Sequence, residues 1–247
     1  MGAPTAAHLI GLWDRSSGAS AHRRLERLLA ATVPQAMLDA DTLGARNRRL
    51  LALHAALSDA PLDARLRCGA CQTDNEFPVP AAAILSCPLP DPAARVRIGT
   101  GRGRLTCRLP LMSDIYAVKG PPAGGALARI VSRCRVGPGK GGPVGPVALA
   151  RLAMRFEALD PAARIVVDLR CAECDAALRA SVDIAEFVAA AVDLIVDGLF
   201  RQIDAIARAY GWSERAILAL PAARRGTYVT MIAARAATGQ TPQALRA

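Results

Sequence analysis

Four of the seven cysteines fall into two Cys-x-x-Cys pairs written in nearly the same words, Leu66-Arg67-Cys68-Gly69-Ala70-Cys71 and Leu169-Arg170-Cys171-Ala172-Glu173-Cys174. A Cys-x-x-Cys turn presents two thiolates on one side of a tight loop, and a second turn facing it completes the tetrahedron that zinc prefers. Cys68, Cys71, Cys171 and Cys174 are therefore the candidate ligands of a structural zinc. Four thiolates leave no open coordination position, so such a centre holds a shape and offers nothing to a substrate. The pairs lie 103 positions apart, far beyond the gap of a zinc ribbon. One site then requires two halves of the chain to pack face to face.

Other readings of the pairs stand beside zinc. A thioredoxin-like motif needs its first Cys at a helix start, where the dipole lowers the thiol pKa, whereas each pair here follows a strand-like run. A disulfide within each pair runs against the reducing compartment expected for this chain. A metal-free relic is the third, because knuckles favour Gly after the second Cys, where a positive φ relieves the turn, and this chain has Gln72 and Asp175 there. Cys87, Cys107 and Cys134 have no partner by spacing and read as small core residues.

No enzyme signature emerges from the other reactive residues. His8, His22 and His54 all lie in the N-terminal region, without a metal-ligand or nucleophile partner at useful spacing. The glycines of 99–103 and 137–142 match neither the dinucleotide fingerprint nor the phosphate loop. Asp168 and Asp183 flank the second cysteine pair on different strands, with nothing to pair them for acid/base work.

The elements that must position the cysteines follow from periodicity. The sequence predicts an α+β, helix-dominated fold of two pseudo-repeated helix, strand, Cys-knuckle and strand units, followed by a C-terminal helical segment. Residues 1–60 read as a helical region, in which Pro34 stops or redirects one helix and Asp41 or Thr42 caps another with Leu43, Leu50, Leu53 and Leu57 as its stripe. Residues 61–136 form the first knuckle half, with an inserted hairpin turning at Gly99, Gly101 and Gly103 and a short helix. Residues 137–146, rich in Gly and Pro, read as a linker. Residues 147–247 hold the second knuckle half and the C-terminal helices. There a long helix from Ile184 to Tyr210 is laced by Asp197/Arg201 and Asp204/Arg208, Gly211 ends it and Ser213 caps the next.

Composition bounds the rest. The 247 residues carry a net charge of +10, which invites a nucleic-acid reading. The charge is almost all Arg, with Lys119 and Lys140 the only lysines, and is scattered along an Ala-rich chain in the manner of GC-rich codon bias. Few aromatics are available to stack on bases, so base-specific readout has no support. No apolar run reaches the roughly 20 residues of a membrane span. The N-terminus lacks the pattern of a secretory signal, so the cytoplasm is the expected compartment.

Several segments, in this order, resemble one family. They are RNRRLLALHAAL (46–57), LRCGACQTDNEFPV (66–79), GRLTCRLPLMSDIYAV (103–118), LARIVSRC (127–134), LRCAEC with VDIAEFV (169–188) and AYGWSERAILALPAARRGTYVTMI (209–232). Together they are similar to the baseplate proteins of contractile phage tails and phage-tail-like injection systems, the family named after the T-even phage baseplate hub assembly protein. The resemblance spans about Leu43 to Ile232. It implies a non-catalytic baseplate component or assembly chaperone, made in the bacterial cytoplasm, with or without incorporation into the tail particle. Its implied partners are other baseplate, hub or tape-measure proteins. Family knuckles often read Cys-Pro-x-Cys-Gly; here Gly69 and Ala172 replace Pro, and the final Gly is missing from both. Trp212 and Tyr228 of the last motif are candidates for helix packing or for a partner surface. The alternative from another class is a zinc-ribbon nucleic-acid-binding protein.

Overall fold

A computed structural model describes residues 4–16, 18–100, 103–118, 125–137 and 143–238. Four helices come first: α1 (Ala6–Asp14), α2 (Ala21–Ala30), α3 (Gln35–Ala40) and α4 (Leu43–Leu57). Thr5, Ser20 and Thr42 cap α1, α2 and α4, each hydroxyl accepting from an N–H three residues on. Pro34 does redirect the chain, and it stands as the N-cap of α3.

Three antiparallel two-stranded hairpins follow, interleaved with helices. The first pairs β1 (Asp63–Arg67) with β2 (Asp74–Pro78) and leads into α5 (Ala81–Ser86). The second pairs β3 (Arg95–Thr100) with β4 (Gly103–Arg108) and is followed by α6 (Met112–Ala117) and α7 (Ala126–Cys134). Gly103 has φ +125°, as its turn position demands, whereas Gly99 lies inside β3 opposite Arg104. Gly101 lies outside the described residues. After α8 (Pro146–Leu159) and a single 3-10 turn at Pro161–Ala163, β5 (Ile165–Arg170) pairs with β6 (Ala177–Val182). The chain ends in α9 (Ile184–Tyr210), α10 (Glu214–Leu218) and α11 (Ala222–Ala237). The fold is α+β with helices dominant, as the periodicity predicts.

Apolar burial gathers in two places. The larger core packs α1, α2 and α4 against α9 through Leu9, Leu25, Leu50, Leu53, Val188, Val192 and Ile206, and it seats the roots of the first and third hairpins through Leu62, Ala64, Val79, Ile165 and Val182. Each of these Leu, Ile and Val side chains contributes about 1.5–3 kcal/mol on burial. The smaller core unites β3, β4, α7 and α8 through Val96, Cys107, Val131, Cys134, Leu152 and Phe156. It draws on both sides of 137–146, of which 138–142 lie outside the described residues.

Helix α4 also ties the first half of the chain to the segment that follows α8. Of the expected leucines it buries Leu50 and Leu53, with Leu43 and Leu57 only partly covered, and it also buries Gly44, Asn47, Leu51 and His54, a second stripe at helical spacing. The Gly44 N–H donates to Asp160 Oδ2 at 2.9 Å, and Asn47 Nδ2 donates to the Ala162 carbonyl at 2.9 Å. A Cβ on Gly44 would lie 1.9 Å from Asp160 Oδ1, so only glycine fits. Burial lowers the His54 pKa, because the charged imidazolium is disfavoured away from water.

A second polar cluster closes the smaller core. Buried Asp114 takes both Arg108 Nη1 and Nη2, Arg133 Nε at 3.3 Å and the Leu111 N–H at 3.1 Å. Burial would raise this carboxyl, but the two guanidiniums and the backbone donor outweigh it and hold it below the usual carboxylate range. On α9, Asp204 pairs with Arg208 at 2.7 Å, whereas Asp197 and Arg201 do not come within ion-pair distance. Among the described residues no helix is long and apolar enough to cross a membrane.

Candidate metal centre

Each Cys-x-x-Cys pair forms the tip of a hairpin, and the two tips are built alike. In the first, the Cys68 N–H donates to the Thr73 carbonyl at 2.8 Å and the Gln72 N–H to the Cys68 carbonyl at 3.0 Å. In the second, Cys171 donates to Ala176 at 2.9 Å and Asp175 to Cys171 at 3.0 Å. The left-handed residue closing each turn is Gln72, with φ +65°, and Asp175, with φ +56°. They are the only non-glycine residues with positive φ among those described. The turn that glycine normally relieves is made here without it, at a cost of order 1–2 kcal/mol per residue. Gln72 offsets part of this by donating Nε2 to the Gly69 carbonyl, while Arg170 donates to both the carbonyl and the carboxylate of Asp175 at 3.0 Å.

The tips face each other and bring the four expected cysteines together. All four sulfurs lie within 4.8 Å of one another. Cys68 Sγ is 3.7 Å from Cys174 Sγ, and Cys71 Sγ is 3.5 Å from Cys171 Sγ. Four sulfurs placed about 2.3 Å from a central zinc ion would be separated by about 3.8 Å, so the set is already close to ligating spacing. The contacts also exceed the roughly 2.05 Å of a disulfide bond. Cys68 and Cys171 are buried, and Cys71 and Cys174 face solvent, so the centre sits at the surface with one edge open.

The donors around Cys171 and Cys71 favour their thiolates. The Ala70 N–H donates to Cys68 Sγ at 3.4 Å. The N–H groups of Cys174 and Glu173 pull the Cys171 thiol down to about 6. The Thr73 hydroxyl and N–H lower that of Cys71. Cys174 is pushed up to about 12, because the Ala176 N–H, which favours its thiolate, is outweighed by the sulfurs of Cys71, Cys171 and Cys68 and by burial. The cluster therefore shares its protons unevenly, as closely coupled acids do, and a cation entering it would displace those that remain. Four soft donors at tetrahedral spacing, all supplied by the protein, can hold a metal ion and leave it no vacant position.

Asn75 is the part of the centre that sequence reasoning passed over. It opens no Cys motif and sits in the polar run from Gln72 to Glu76, which reads as a solvated turn. In the fold it is buried in β2 opposite Leu66 and reaches across to the other hairpin. Its Oδ1 accepts from the Ala172 N–H at 2.9 Å, and its Nδ2 donates to the Thr73 carbonyl at 3.0 Å and lies 3.6 Å from Cys171 Sγ. Among the described residues, every hydrogen bond between the two hairpins involves a cysteine sulfur or Asn75. The only available signal was an Asn in a strand that otherwise alternates.

The remaining candidates fall elsewhere. Trp212 stacks on Tyr210 with centroids 5.2 Å apart and meets Tyr228 edge-on at 5.1 Å, so the three rings seat α11 against the end of α9. Trp212 keeps 37% of its surface exposed. Asp183 caps α9 and lies 3.7 Å from His22, and Asp168 pairs with Arg179. Cys107 and Cys134 are buried in the smaller core and Cys87 is partly buried against the larger one. Comparison with known proteins returned no matching family model, no similar curated protein and no similar solved structure.

Proposed function

We propose that this chain is a non-catalytic assembly component that works through protein–protein contacts, with a structural zinc ion clasping two copies of one helix–hairpin unit. The observation that carries the reading is the closed set of Cys68, Cys71, Cys171 and Cys174. Its spacing suits zinc, and all four positions of the ion would be filled by the protein. The ion would supply cross-linking strength and no reaction chemistry. The sequence resemblance gives the setting: the baseplate hub of a contractile phage tail or a related injection system, with other hub or tape-measure proteins as partners and Trp212 and Tyr228 as candidate contact residues.

Two measurements test it. Elemental analysis is expected to find one zinc per chain, lost in Cys68→Ser; iron in its place, or no metal in a folded protein, would sink the zinc clasp. Co-expression with sheath, tube and hub proteins is expected to yield a stable complex, and a chain that elutes alone from every such mixture would sink the assembly role.

The zinc-ribbon nucleic-acid reading is the weaker one. The exposed arginines of the two hairpins face acids across the strands, Arg65 to Glu76, Arg67 to Asp74 and Arg179 to Asp168, which cancels the charge a phosphate backbone would seek. A salt-sensitive DNA or RNA shift at physiological ionic strength would reverse this ranking.

A further inference from the structure

The two thiol–thiol contacts both cross from one hairpin to the other, and each joins an exposed cysteine to a buried one: Cys71 to Cys171 at 3.5 Å, and Cys174 to Cys68 at 3.7 Å. Cysteine oxidation begins at the accessible sulfur and is completed by a resolving thiol within reach. We propose that the clasp is a hydroperoxide-reactive site at which Cys71 and Cys174 are oxidised first and Cys171 and Cys68 resolve them, so that oxidation exchanges the metal cross-link for two disulfides between the hairpins.

The step balances with hydrogen peroxide as the oxidant. The Cys71 sulfur attacks one peroxide oxygen, the O–O bond breaks, and Cys71 sulfenic acid and water are formed. The Cys171 sulfur then attacks the Cys71 sulfur; the S–S bond forms, the S–O bond breaks, and the hydroxyl leaves as water after taking up a proton. Two electrons from the two sulfurs have reduced one peroxide to two waters. Cys174 and Cys68 repeat the sequence with a second peroxide, and any bound ion, deprived of its thiolates, is released. Each pair has to close by only about 1.5 Å to reach disulfide length. The alternative product, a disulfide within each Cys-x-x-Cys, would leave the hairpin tips joined by Asn75 alone.

The inference rests on the proximity of the thiols and extends the clasp reading to its regulation; it does not require that the resident ion be zinc. The full-length protein is treated with a few equivalents of hydrogen peroxide after its metal content has been recorded, alkylated, digested with trypsin without reduction and analysed by mass spectrometry. Cys68 and Cys71 share one tryptic peptide, 68–95, and Cys171 and Cys174 share another, 171–179. The expected result is loss of four of the seven thiols, with the two peptides joined and fragmentation assigning Cys71–Cys171 and Cys68–Cys174. Two separate, internally looped peptides would overturn the proposal, as would four thiols still open to alkylation or cysteines carried only to sulfinic and sulfonic acids. In Cys71→Ser the peptides are expected to remain joined through Cys68–Cys174; a Cys171–Cys174 loop in that variant would also overturn it. A metal-free protein that still gives the crossed disulfides refutes the zinc clasp and leaves this inference standing, and a zinc protein that gives the looped peptides does the opposite.

Discussion

The stretches around the two cysteine pairs coincide in their elements and differ in what those elements do. At the offset of 103 positions that superposes the cysteines, α4 begins where α8 begins, β2 where β6 begins and α5 where α9 begins. The knuckle backbones match bond for bond, down to the left-handed residue after each pair. Yet α4 is packed into the larger core and α8 serves the smaller one, and α5 has 6 residues where α9 has 27. Asn75 in the first hairpin has Leu178 as its counterpart in the second. The shared part is what four-sulfur geometry demands of a backbone. The divergent part is set by what each unit packs against.

The largest expected effect comes from removing the shared part. Cys68→Ser, or chelation of the wild-type protein, should abolish stoichiometric metal binding and remove hydrogen-exchange protection from both tips, 66–75 and 169–178. Structural zinc is worth roughly 10–16 kcal/mol in isolated finger peptides, but here both hairpins are rooted in the larger core, so α9 should stay protected. Equal loss of protection along α9 would mean that the clasp organises the whole fold, not only the hairpin tips.

A smaller effect should separate the two hairpins. Asn75→Leu removes the amide that bridges to Ala172 and Cys171 and is expected to weaken metal binding by about 10–100-fold in a chelator competition, as loss of supporting hydrogen bonds does at other metal centres. Leu178→Asn places the same amide at the matching position of the other hairpin while Asn75 keeps its bridge, and metal affinity should be unchanged. A loss in Leu178→Asn as large as that in Asn75→Leu would mean that side-chain packing at these paired positions, and not the amide bridge, supports the centre.

The smallest effect tests the left-handed residues. Gln72→Gly should raise stability by about 1 kcal/mol in denaturant unfolding, because glycine adopts that φ without strain. Asp175→Gly should gain less, since Asp tolerates the left-handed region better than Gln and its removal also deletes the contact with Arg170. An equal gain at both sites would mean that the side-chain contacts contribute nothing to the turns.

The sequence was legible where one residue type answers to one local geometry. Paired thiols, the cap at Ser213, the stop at Gly211 and the long apolar face of α9 all act within a turn or two of chain. It was illegible where the partner is remote. Asn75 looks solvated until Ala172 arrives from 97 residues away, and Gly44 looks like a defect in a helix until Asp160 occupies the space a Cβ would need. Helices α5 and α6, six residues each, are too short to show a period. Gln72 and Asp175 argued for a lost knuckle by their type, but a hairpin held by its own hydrogen bonds can impose a left-handed φ on residues that do not favour it.

The distance between the thiols along the chain also fixes an order of events during synthesis. Cys71 and its cross-hairpin neighbour Cys171 are 100 residues apart, so at a translation rate of about 5–20 residues per second the first knuckle leaves the ribosome roughly 5–20 seconds before its counterpart exists. During that interval it is a two-thiol half-site, able to bind a metal ion only loosely or to share it with another ligand. Closure of the four-sulfur set therefore reports that the chain has been made through the second knuckle, and the newborn first half passes through a stage at which its cysteines are exposed to whatever thiols, metals and oxidants the compartment holds.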